Sequence, residues 1–380
     1  MQQGAKSESK MGKGMNKSKQ SGLDIDLGNR CSKIAFEWAK KTFDFRSAGS
    51  GNPLPGLDGA FSNVMDLGGV KIGMASDGVG TKIELAERTK IYHTIAFDLV
   101  AMVVDDLAAN GLEPVNLSNI LDVDALDAAV IDRLMEGLYQ AAKVARVTVT
   151  GGEIAELGSR ISGYGDGMHF NWAATGLAIL PTGREVIDGS KVQVGDRIIA
   201  LKSQGFRSNG FSLLRRIMNE QFGDAWHQAA YGEGKTWGQA LLTPSRIYTP
   251  LIVDLIKADF EIHGIAHITG GGIGDNLQRV LKINGFGAVL DRLFEPPHFM
   301  RKVQELGQVS EAQAYRLWNM GNGMLLVVKA EQAEAVVQFA AKQQYQAQIA
   351  GTVQKESAIE LKSRGMEPQT LIYHLKEKDS

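Results

Sequence analysis

The segment between Thr94 and Gly111 places three aspartates in an otherwise apolar stretch with helical spacing. Asp98 and Asp105 are seven residues apart and share one face of such a helix, whereas Asp106 is offset by about 80°. Carboxylates are costly to bury unless cations pair with them. The pattern therefore predicts either a helix whose acids bind cations such as Mg²⁺ or a polar stripe that faces water.

A second segment, "SDGVGTK" (76–82), follows a short apolar run that is typical of a strand. A Walker A loop needs a glycine, four residues, then Gly-Lys-Ser/Thr, and this segment does not have that spacing. Asp77 follows the strand end, where α/β sheets present ligand groups, and its carboxylate suits Mg²⁺. Lys82 is a candidate phosphate contact. The alternative is a glycine turn with a solvated lysine.

Two glycine-rich segments of the second half each precede a predicted helix. One contains Ser208, Asn209 and Gly210, and the other is "HITGGG" (267–272). Helix N-termini of this kind bind anions through backbone N–H groups, although the first segment also fits an ordinary N-cap. His267 is either a polar group in catalysis or substrate binding, or a structural histidine.

Glu153 follows a β-branched stretch and two glycines in "TGGEIAE" (150–156). It is a candidate metal ligand, and the alternative is an acid favoured by the dipole at a helix N-terminus.

Composition excludes several classes of protein. The net charge of −2 gives no global basic field for nucleic acid. No run of about 18 apolar residues is present, so we expect no membrane span. The single cysteine, Cys31, excludes an intramolecular disulfide and fits the cytoplasm. Residues 1–20 carry five lysines and little apolar character, which predicts a disordered tail.

Alternating strand and helix patterns predict an α/β (α+β) chain of two domains. We expect an amino-terminal domain over 21–184 with a mixed sheet and a carboxy-terminal α/β domain over 185–365, followed by a tail over 366–380. The boundary is placed in the turn-rich segment 181–196. Predicted strands cover 70–76, 114–123, 146–150, 169–180, 197–203, 287–291, 323–329 and 346–354. Predicted helices cover 94–110, 125–144, 245–257 and 331–343, with a further helix from Gly210.

Seven motifs in order resemble the phosphoribosylformylglycinamidine cyclo-ligase (aminoimidazole ribonucleotide synthetase) family, from about residue 21 to 355. They are "SGLDIDLGN", "SDGVGTK", "HTIAFDLVAMVVDDL", "TGGEIAE", "RSNGFSLLR", "IAHITGGGIGDNLQRVL" and "WNMGNGM". The wider superfamily includes selenophosphate synthetase and thiamine-monophosphate kinase. The resemblance implies a homodimer whose amino-terminal sheets form a barrel. It also implies a nucleotide substrate, with ATP and Mg²⁺ as cofactors.

The resemblance implies that ATP phosphorylates the formyl oxygen of formylglycinamidine ribonucleotide, after which a nitrogen of the same substrate closes the ring. It also implies roles for individual residues. The catalytic residues are expected to be His267, Lys82 and Asp106. The residues expected to bind ATP are Asp77, Gly78, Gly80, Thr81, Lys82, Asp98 and Glu153. The residues expected to bind substrate are Ser208, Asn209, Gly210, Thr269, Gly270, Gly271 and Gly272. The expected metal ligands are Asp77, Asp98, Asp105 and Asp106.

The sequence departs from the family in three places: Asp105-Asp106 replaces Asn-Asp, "GLDGA" (56–60) replaces Gly-Gly-Phe-Gly-Ala, and "LGSRISGYGDG" (157–167) replaces Met-Pro-Gly. The last two lie in loops that could touch ligand. Two alternatives therefore remain, a superfamily member that phosphorylates another small molecule and a nucleotide-binding protein without turnover.

Overall fold

The computed structural model describes residues 25–46, 50–57, 60–232 and 234–375, and within the first range the side chains of Ile25, Asp26 and Asn29 are not described. The predicted tail over 1–20 lies outside these residues, as do Asp58 and Gly59 of the segment "GLDGA" (56–60). None of the helices in the described ranges has the length and apolar character needed to cross a lipid bilayer.

The amino-terminal half is built on a six-stranded mixed sheet. Its strands are β1 (Asn52–Pro53), β2 (Asn63–Asp66), β3 (Lys71–Gly78), β4 (Glu113–Val123), β5 (Thr148–Glu156) and β6 (Phe170–Ile179), in the spatial order β1-β2-β3-β6-β4-β5. Only β4 and β5 are parallel, and they are joined through a helix, as parallel neighbours require. The helices of this half are α1 (Ile25–Lys40), α2 (Ile83–Thr89), α3 (Ile95–Ala109) and α4 (Ala128–Ala145).

The carboxy-terminal half has a seven-stranded sheet in the order β10-β12-β7-β13-β11-β14-β15. These strands are β7 (Arg197–Lys202), β10 (Ile262–His267), β11 (Gly287–Leu290), β12 (Asn322–Val328), β13 (Ala347–Gln354), β14 (Ala358–Lys362) and β15 (Thr370–His374), and a separate hairpin contains β8 (Ala230–Gly232) and β9 (Lys235–Thr236). The helices are α5 (Phe211–Phe222), α6 (Trp237–Leu241), α7 (Thr249–Lys257), α8 (Gly272–Leu281), α9 (His298–Leu306), α10 (Glu311–Leu317) and α11 (Ala333–Lys342).

Helix α3 joins the two halves. It packs against β3, β4 and β6 of the first sheet and against β10 and α7 of the second half. All of its residues are buried except Phe97 and Asp106. A helix that is apolar on nearly every side is stable only when it is enclosed, and here the two halves enclose it together.

The outer face of the six-stranded sheet carries exposed apolar side chains in the described part of the chain. Register places Gly78, Ala173, Ile120 and Glu153 in one row across the sheet. Ile120 is 51% exposed and points away from α3, because successive strand residues alternate between the two faces. Met74 and Ile179 are exposed on the same face.

The α/β (α+β) class with two sheets is confirmed, and the predicted strands and helices correspond to observed ones with shifted ends. Two boundary predictions are wrong. The strand predicted over 146–150 continues to Glu156, so Gly151 and Gly152 lie inside β5 instead of ending it. The tail predicted over 366–380 is wrong for residues 370–374, which form β15 and pair with β14, while 376–380 lie outside the described residues.

Candidate active site

The segment 76–82 meets the second half of the chain at the start of α5. Asp77 and Gly78 end β3, and the Gly78 N–H donates to the Asp77 carboxylate at 2.7 Å. Gly80 has a φ of +70° and begins a 3₁₀ turn, with the Ser208 carbonyl 4.0 Å from the position of a Cβ. The Thr81 and Ser212 hydroxyls are 3.4 Å apart. The glycine turn therefore brings the end of β3 against the α5 N-terminus.

Lys82 and Asp98 form a buried ion pair beneath this turn. Lys82 Nζ lies 2.8 Å from each Asp98 carboxylate oxygen and donates to the Thr243 carbonyl at 2.8 Å. Ser245 Oγ donates to the same Asp98 at 2.5 Å. Both charged side chains are fully buried. Burial raises the pKa of Asp98 and lowers the pKa of Lys82, and the ion pair opposes both changes.

This pairing corrects three expectations. Asp98 was expected to bind metal and nucleotide, but its carboxylate is fully buried and faces Lys82 and Ser245. Lys82 was expected to act on phosphate, but its ammonium faces Asp98 and a carbonyl in the interior. The sequence correctly indicated that the acids of this helix need a cation, and for Asp98 that cation is a lysine of the same chain.

Asp105 is also enclosed. One carboxylate oxygen accepts hydrogen bonds from Tyr248 N, Thr249 N and Thr249 Oγ1, each at 2.9 Å. The other accepts from Arg207 Nη2 at 2.9 Å. Because no acceptor position points to solvent, the expectation that Asp105 binds metal is not supported. Asp105 instead attaches α3 to the N-terminus of α7.

Asp106 is the one aspartate of α3 that is partly exposed, at 21% of its side chain. Its Oδ1 lies 2.7 Å from Nδ1 of His267, which is fully buried at the end of β10. Burial raises the pKa of Asp106 to about 7, although the positive charges of Arg279 and Arg207 act against this rise. Burial also lowers the pKa of His267 to about 3, so the ring is neutral at physiological pH.

Asp77 remains accessible to solvent at the strand end. The protein surrounding its carboxylate raises its pKa to about 6, and the negative charge of nearby Asp106 contributes to that rise. Asp77 and Asp106 therefore form the acidic part of the candidate site. A divalent cation between two such carboxylates relieves their repulsion, and oxygen donors are the ligands that Mg²⁺ prefers.

The expected anion cradles both begin helices with a glycine in the left-handed region. Gly210 (φ +76°) precedes α5, and Gly271 (φ +91°) precedes α8. The amide of Asn276 donates to the carbonyl of Gly272 at 2.8 Å and contacts those of Thr269 and Gly270. Gly272 admits no side chain, because a Cβ would lie 1.7 Å from the Tyr315 carbonyl oxygen.

These two cradles lie side by side. The side-chain oxygen Oδ1 of Asn209 is 3.6 Å from the Cβ position of Gly270, and Asn209 Nδ2 contacts the Met102 sulfur at 3.8 Å. The Ser208 hydroxyl is buried and has no hydrogen-bond partner in the part of the chain that the structure describes. A buried polar atom without a partner is costly, so this hydroxyl is available to a ligand.

Glu153 lies apart from this group, contrary to expectation. It is on the outer face of β5, whereas Asp77 is in register with the inward-facing Ala174 and Asn119. Strands β6 and β4 separate β3 from β5, which corresponds to about 14 Å. Within one chain, Glu153 therefore cannot share ligands with Asp77.

Two arginines of the site were missed from the sequence. Arg207 precedes the Ser208 cradle and bridges Asp105 and His267. Arg279, on α8, lies 4.4 Å from the Phe61 ring centroid and close enough to Asp106 to lower its pKa. Three acids on an apolar helix require cations, and basic residues beside the glycine-rich segments could have been inferred from this requirement.

Metal ligands are sparse around Asp77 and Asp106. Over the described ranges, no three His, Cys, Asp or Glu side chains are grouped so that they could hold a metal ion by themselves. Mg²⁺ is often held by one or two carboxylates together with nucleotide phosphates. The donor set therefore fits a magnesium ion that arrives with a phosphorylated ligand.

Two family models match the chain, and the boundary between them falls between the two sheets. Residues 59–178 match the N-terminal domain of AIR synthase related proteins, and residues 193–363 match the C-terminal domain. The chain belongs to the AIR synthase family. A phosphoribosylformylglycinamidine cyclo-ligase of Thermococcus kodakarensis is 36% identical over 322 residues, which cover 84% of this chain and 90% of the relative. The corresponding protein of Pyrococcus furiosus is 34% identical over 349 residues, covering 91% and 98%.

Solved structures share the fold of this AIR synthase family member. AaThiL complexed with AMPPCP and TMP matches with a TM-score of 0.58 and 14% identity, covering 89% of this chain and 96% of that one. The hydrogenase maturation protein HypE in complex with ATP matches with a TM-score of 0.54 and 16% identity, covering 81% and 85%. At these identities the likeness establishes the architecture alone.

Replacement of Lys82 tests whether this lysine is structural. We expect Lys82→Met to lower the free energy of unfolding by about 3–5 kcal/mol, because it leaves the Asp98 carboxylate buried without its partner. The double variant Lys82→Met with Asp98→Asn is expected to be more stable than the single variant. Urea denaturation measures the free energy of unfolding of both variants. A Lys82→Met protein with normal stability and weakened ATP affinity would contradict the structural role.

Replacement of Asp106 tests the raised pKa. Because the pKa is about 7 in the folded protein and 3.8 ordinarily, the ionised carboxylate destabilises the fold above pH 7, and this cost disappears near pH 4. Asp106→Asn keeps an acceptor for His267. Without metal, it is expected to raise the free energy of unfolding at pH 8 by up to about 4 kcal/mol, at 1.36 kcal/mol per pKa unit.

Unfolding of the wild type and Asp106→Asn, measured in EDTA from pH 4.5 to pH 8, checks this expectation. The difference between the two proteins should shrink as the pH falls. A variant that is less stable than the wild type at pH 8 would refute it.

Proposed function

We propose that this chain is an ATP-dependent cyclo-ligase of purine biosynthesis. It would convert formylglycinamidine ribonucleotide into 5-aminoimidazole ribonucleotide, ADP and phosphate. The observation that carries the proposal is the family membership over both domains, with relatives named phosphoribosylformylglycinamidine cyclo-ligase. The solvent-accessible region formed by Asp77, Asp106 and the two glycine-rich cradles, called the cleft below, also supports it. It combines two accessible carboxylates with two adjacent candidate anion cradles.

The proposed reaction has two steps. The substrate amide oxygen attacks the γ-phosphorus of ATP, and the bond from that phosphorus to ADP breaks. A substrate nitrogen then attacks the carbon that bears the phosphorylated oxygen, loses a proton, and expels phosphate as the ring closes. Phosphate is a far better leaving group than an amide oxygen. The second step is intramolecular, so correct positioning contributes much of the rate.

The residues have distinct roles in this proposal. Asp77 and Asp106 would hold Mg²⁺, which neutralises phosphoryl charge when it is bound. Gly78, Gly80 and Thr81 would shape the turn beneath the nucleotide. Backbone N–H groups at the two cradles and the Ser208 hydroxyl would receive the phosphate of the ribonucleotide. The cradle residues are Ser208, Asn209, Gly210, Thr269, Gly270, Gly271 and Gly272.

We further propose that the chain acts as a homodimer that forms through the outer face of the six-stranded sheet. Met74, Ile120 and Ile179 are exposed on that face, which supports its burial against a second copy. Two such sheets facing each other would form the barrel that the resemblance implies. We expect this enzyme in the cytoplasm, where the free, exposed Cys31 stays reduced.

Ile120→Glu tests this interface. We expect the wild type to sediment as a dimer and Ile120→Glu to sediment as a monomer, because a buried unpaired charge opposes association. Leu126→Glu is the matched control, since Leu126 is 60% exposed but lies outside the sheet. Equal masses for the wild type and Ile120→Glu would overturn this interface.

A direct assay tests the activity. Purified protein is mixed with formylglycinamidine ribonucleotide, ATP and Mg²⁺, and both the aminoimidazole product and ADP are followed. We expect both to form. Asp77→Asn is expected to lower kcat/KM for Mg-ATP by at least about 100-fold, because it removes a carboxylate from the metal. Asp132→Asn, at an exposed position of α4, serves as the control and should leave the rate unchanged.

Other outcomes have clear meanings. ADP formation only with a different acceptor would replace the cyclo-ligase by a small-molecule kinase of the same fold. If calorimetry detects no ATP binding, the protein does not have the proposed ATP-dependent activity. Full activity in Asp77→Asn would remove Asp77 from the metal site.

A further inference from the structure

Arg207 occupies an unusual position between the two halves of the chain. Its side chain is 1% exposed, and its backbone has a φ of +61°, in the left-handed region that side chains disfavour by about 1 kcal/mol or more. Such a conformation persists only where the surrounding contacts hold it. The hydrogen bonds that the structure records for the Arg207 side chain are made by its guanidinium, so the role of this residue is sought there.

The hydrogen bonds of Arg207 determine which ring nitrogen of His267 carries the proton. Nη1 donates to the Arg246 carbonyl at 2.8 Å. Nη2 has two hydrogens and two partners, Asp105 Oδ2 at 2.9 Å and His267 Nε2 at 2.8 Å. A guanidinium only donates, so His267 Nε2 accepts and carries no proton. In the neutral ring the proton is then on Nδ1, which donates to Asp106 Oδ1 at 2.7 Å.

We propose that Arg207 is a positioning residue that fixes His267 in the tautomer protonated at Nδ1, so that the imidazole holds the Asp106 carboxylate toward the cleft. His267 is then itself a positioning residue and not a proton carrier. This changes the expectation that His267 is catalytic. The ring is fully buried, whereas Asp106 is partly exposed. Of these two residues, Asp106 is therefore the one that can touch a ligand.

The rigidity of this chain of contacts comes from α7. Asp105 is held by three donors at the α7 N-terminus, and it holds Arg207 in turn. The sequence of contacts runs from α7 through Asp105, Arg207 and His267 to Asp106. It crosses between the two halves at every step except the one from Arg207 to His267. A lysine at position 207 would offer a point charge without the planar fork that aligns two acceptors.

The first test measures the tautomer directly and does not depend on turnover. The full-length protein is labelled with ¹⁵N-histidine, and the His267 signals are assigned by their loss in His267→Asn. We expect wild-type Nε2 to be unprotonated and Nδ1 to carry the proton. In Arg207→Met we expect Nε2 to gain a proton, because its donor is lost and Asp105 lies 3.9 Å away as an acceptor.

Arg146→Met is the control for this measurement. It removes another arginine ion pair between the halves, that of Arg146 with Asp254, which includes none of Asp105, Arg207, His267 and Asp106. Its His267 signal should match the wild type. A wild-type His267 protonated at Nε2 overturns the proposal, and so does an Arg207→Met protein whose Nε2 stays unprotonated. The wild-type spectrum decides the first point even if Arg207→Met fails to fold.

The second test uses turnover and rests on the proposed cyclo-ligase activity. In His267→Asn the amide nitrogen lies near the Nδ1 position and can donate to Asp106, whereas in His267→Gln it lies near Nε2 and cannot. We expect kcat to fall by less than about 10-fold in His267→Asn and by at least about 100-fold in His267→Gln. Loss of an acid–base group would lower both equally, by about 10²–10⁴-fold.

Equal losses in the two variants would overturn the positioning role. A wild type that makes no aminoimidazole product would overturn the proposed function, while the tautomer measurement would still decide the inference about Arg207.

Discussion

Enclosure of charged side chains on α3 is the constraint on which the rest of this structure depends. The helix lies between two sheets, so each of its acids needs either a cation or an opening to solvent. Asp98 is paired with Lys82, Asp105 is paired with Arg207, and Asp106 reaches the cleft. The two ion pairs fix the position of α3, and that position aims the third acid.

The same arrangement explains why the site is shared between the two halves. Asp77 and Asp106 come from the amino-terminal half, while His267, Arg207 and both cradles come from the carboxy-terminal half. No single half holds the acidic groups and the N–H groups of the candidate anion cradles together. The buried contacts across the junction therefore serve both stability and the relative placement of the two parts of the site.

Much of the fold could be predicted from the sequence, because the helices and strands have clear apolar periodicity. The segment 114–123 is strand β4, and the acid-bearing helix is α3. The extension of β5 through Gly151, Gly152 and Glu153 was not predicted, since glycines usually weaken strands. In this strand Gly152 avoids a clash, because a Cβ would lie 2.6 Å from Asn119. Strand β15 was missed because its stability comes from pairing with β14.

The sequence by itself determined which chemistry is present: carboxylates on an apolar helix, a strand-end aspartate, and two glycine-rich helix starts. It also determined that buried acids require cations. Only the tertiary structure decided how these charges are divided, because ion pairing depends on side chains that are distant in sequence, such as Arg207 and Asp105. It therefore moved Lys82, Asp98 and Asp105 from the ligand site to the interior, and left Asp77 and Asp106 to face the cleft.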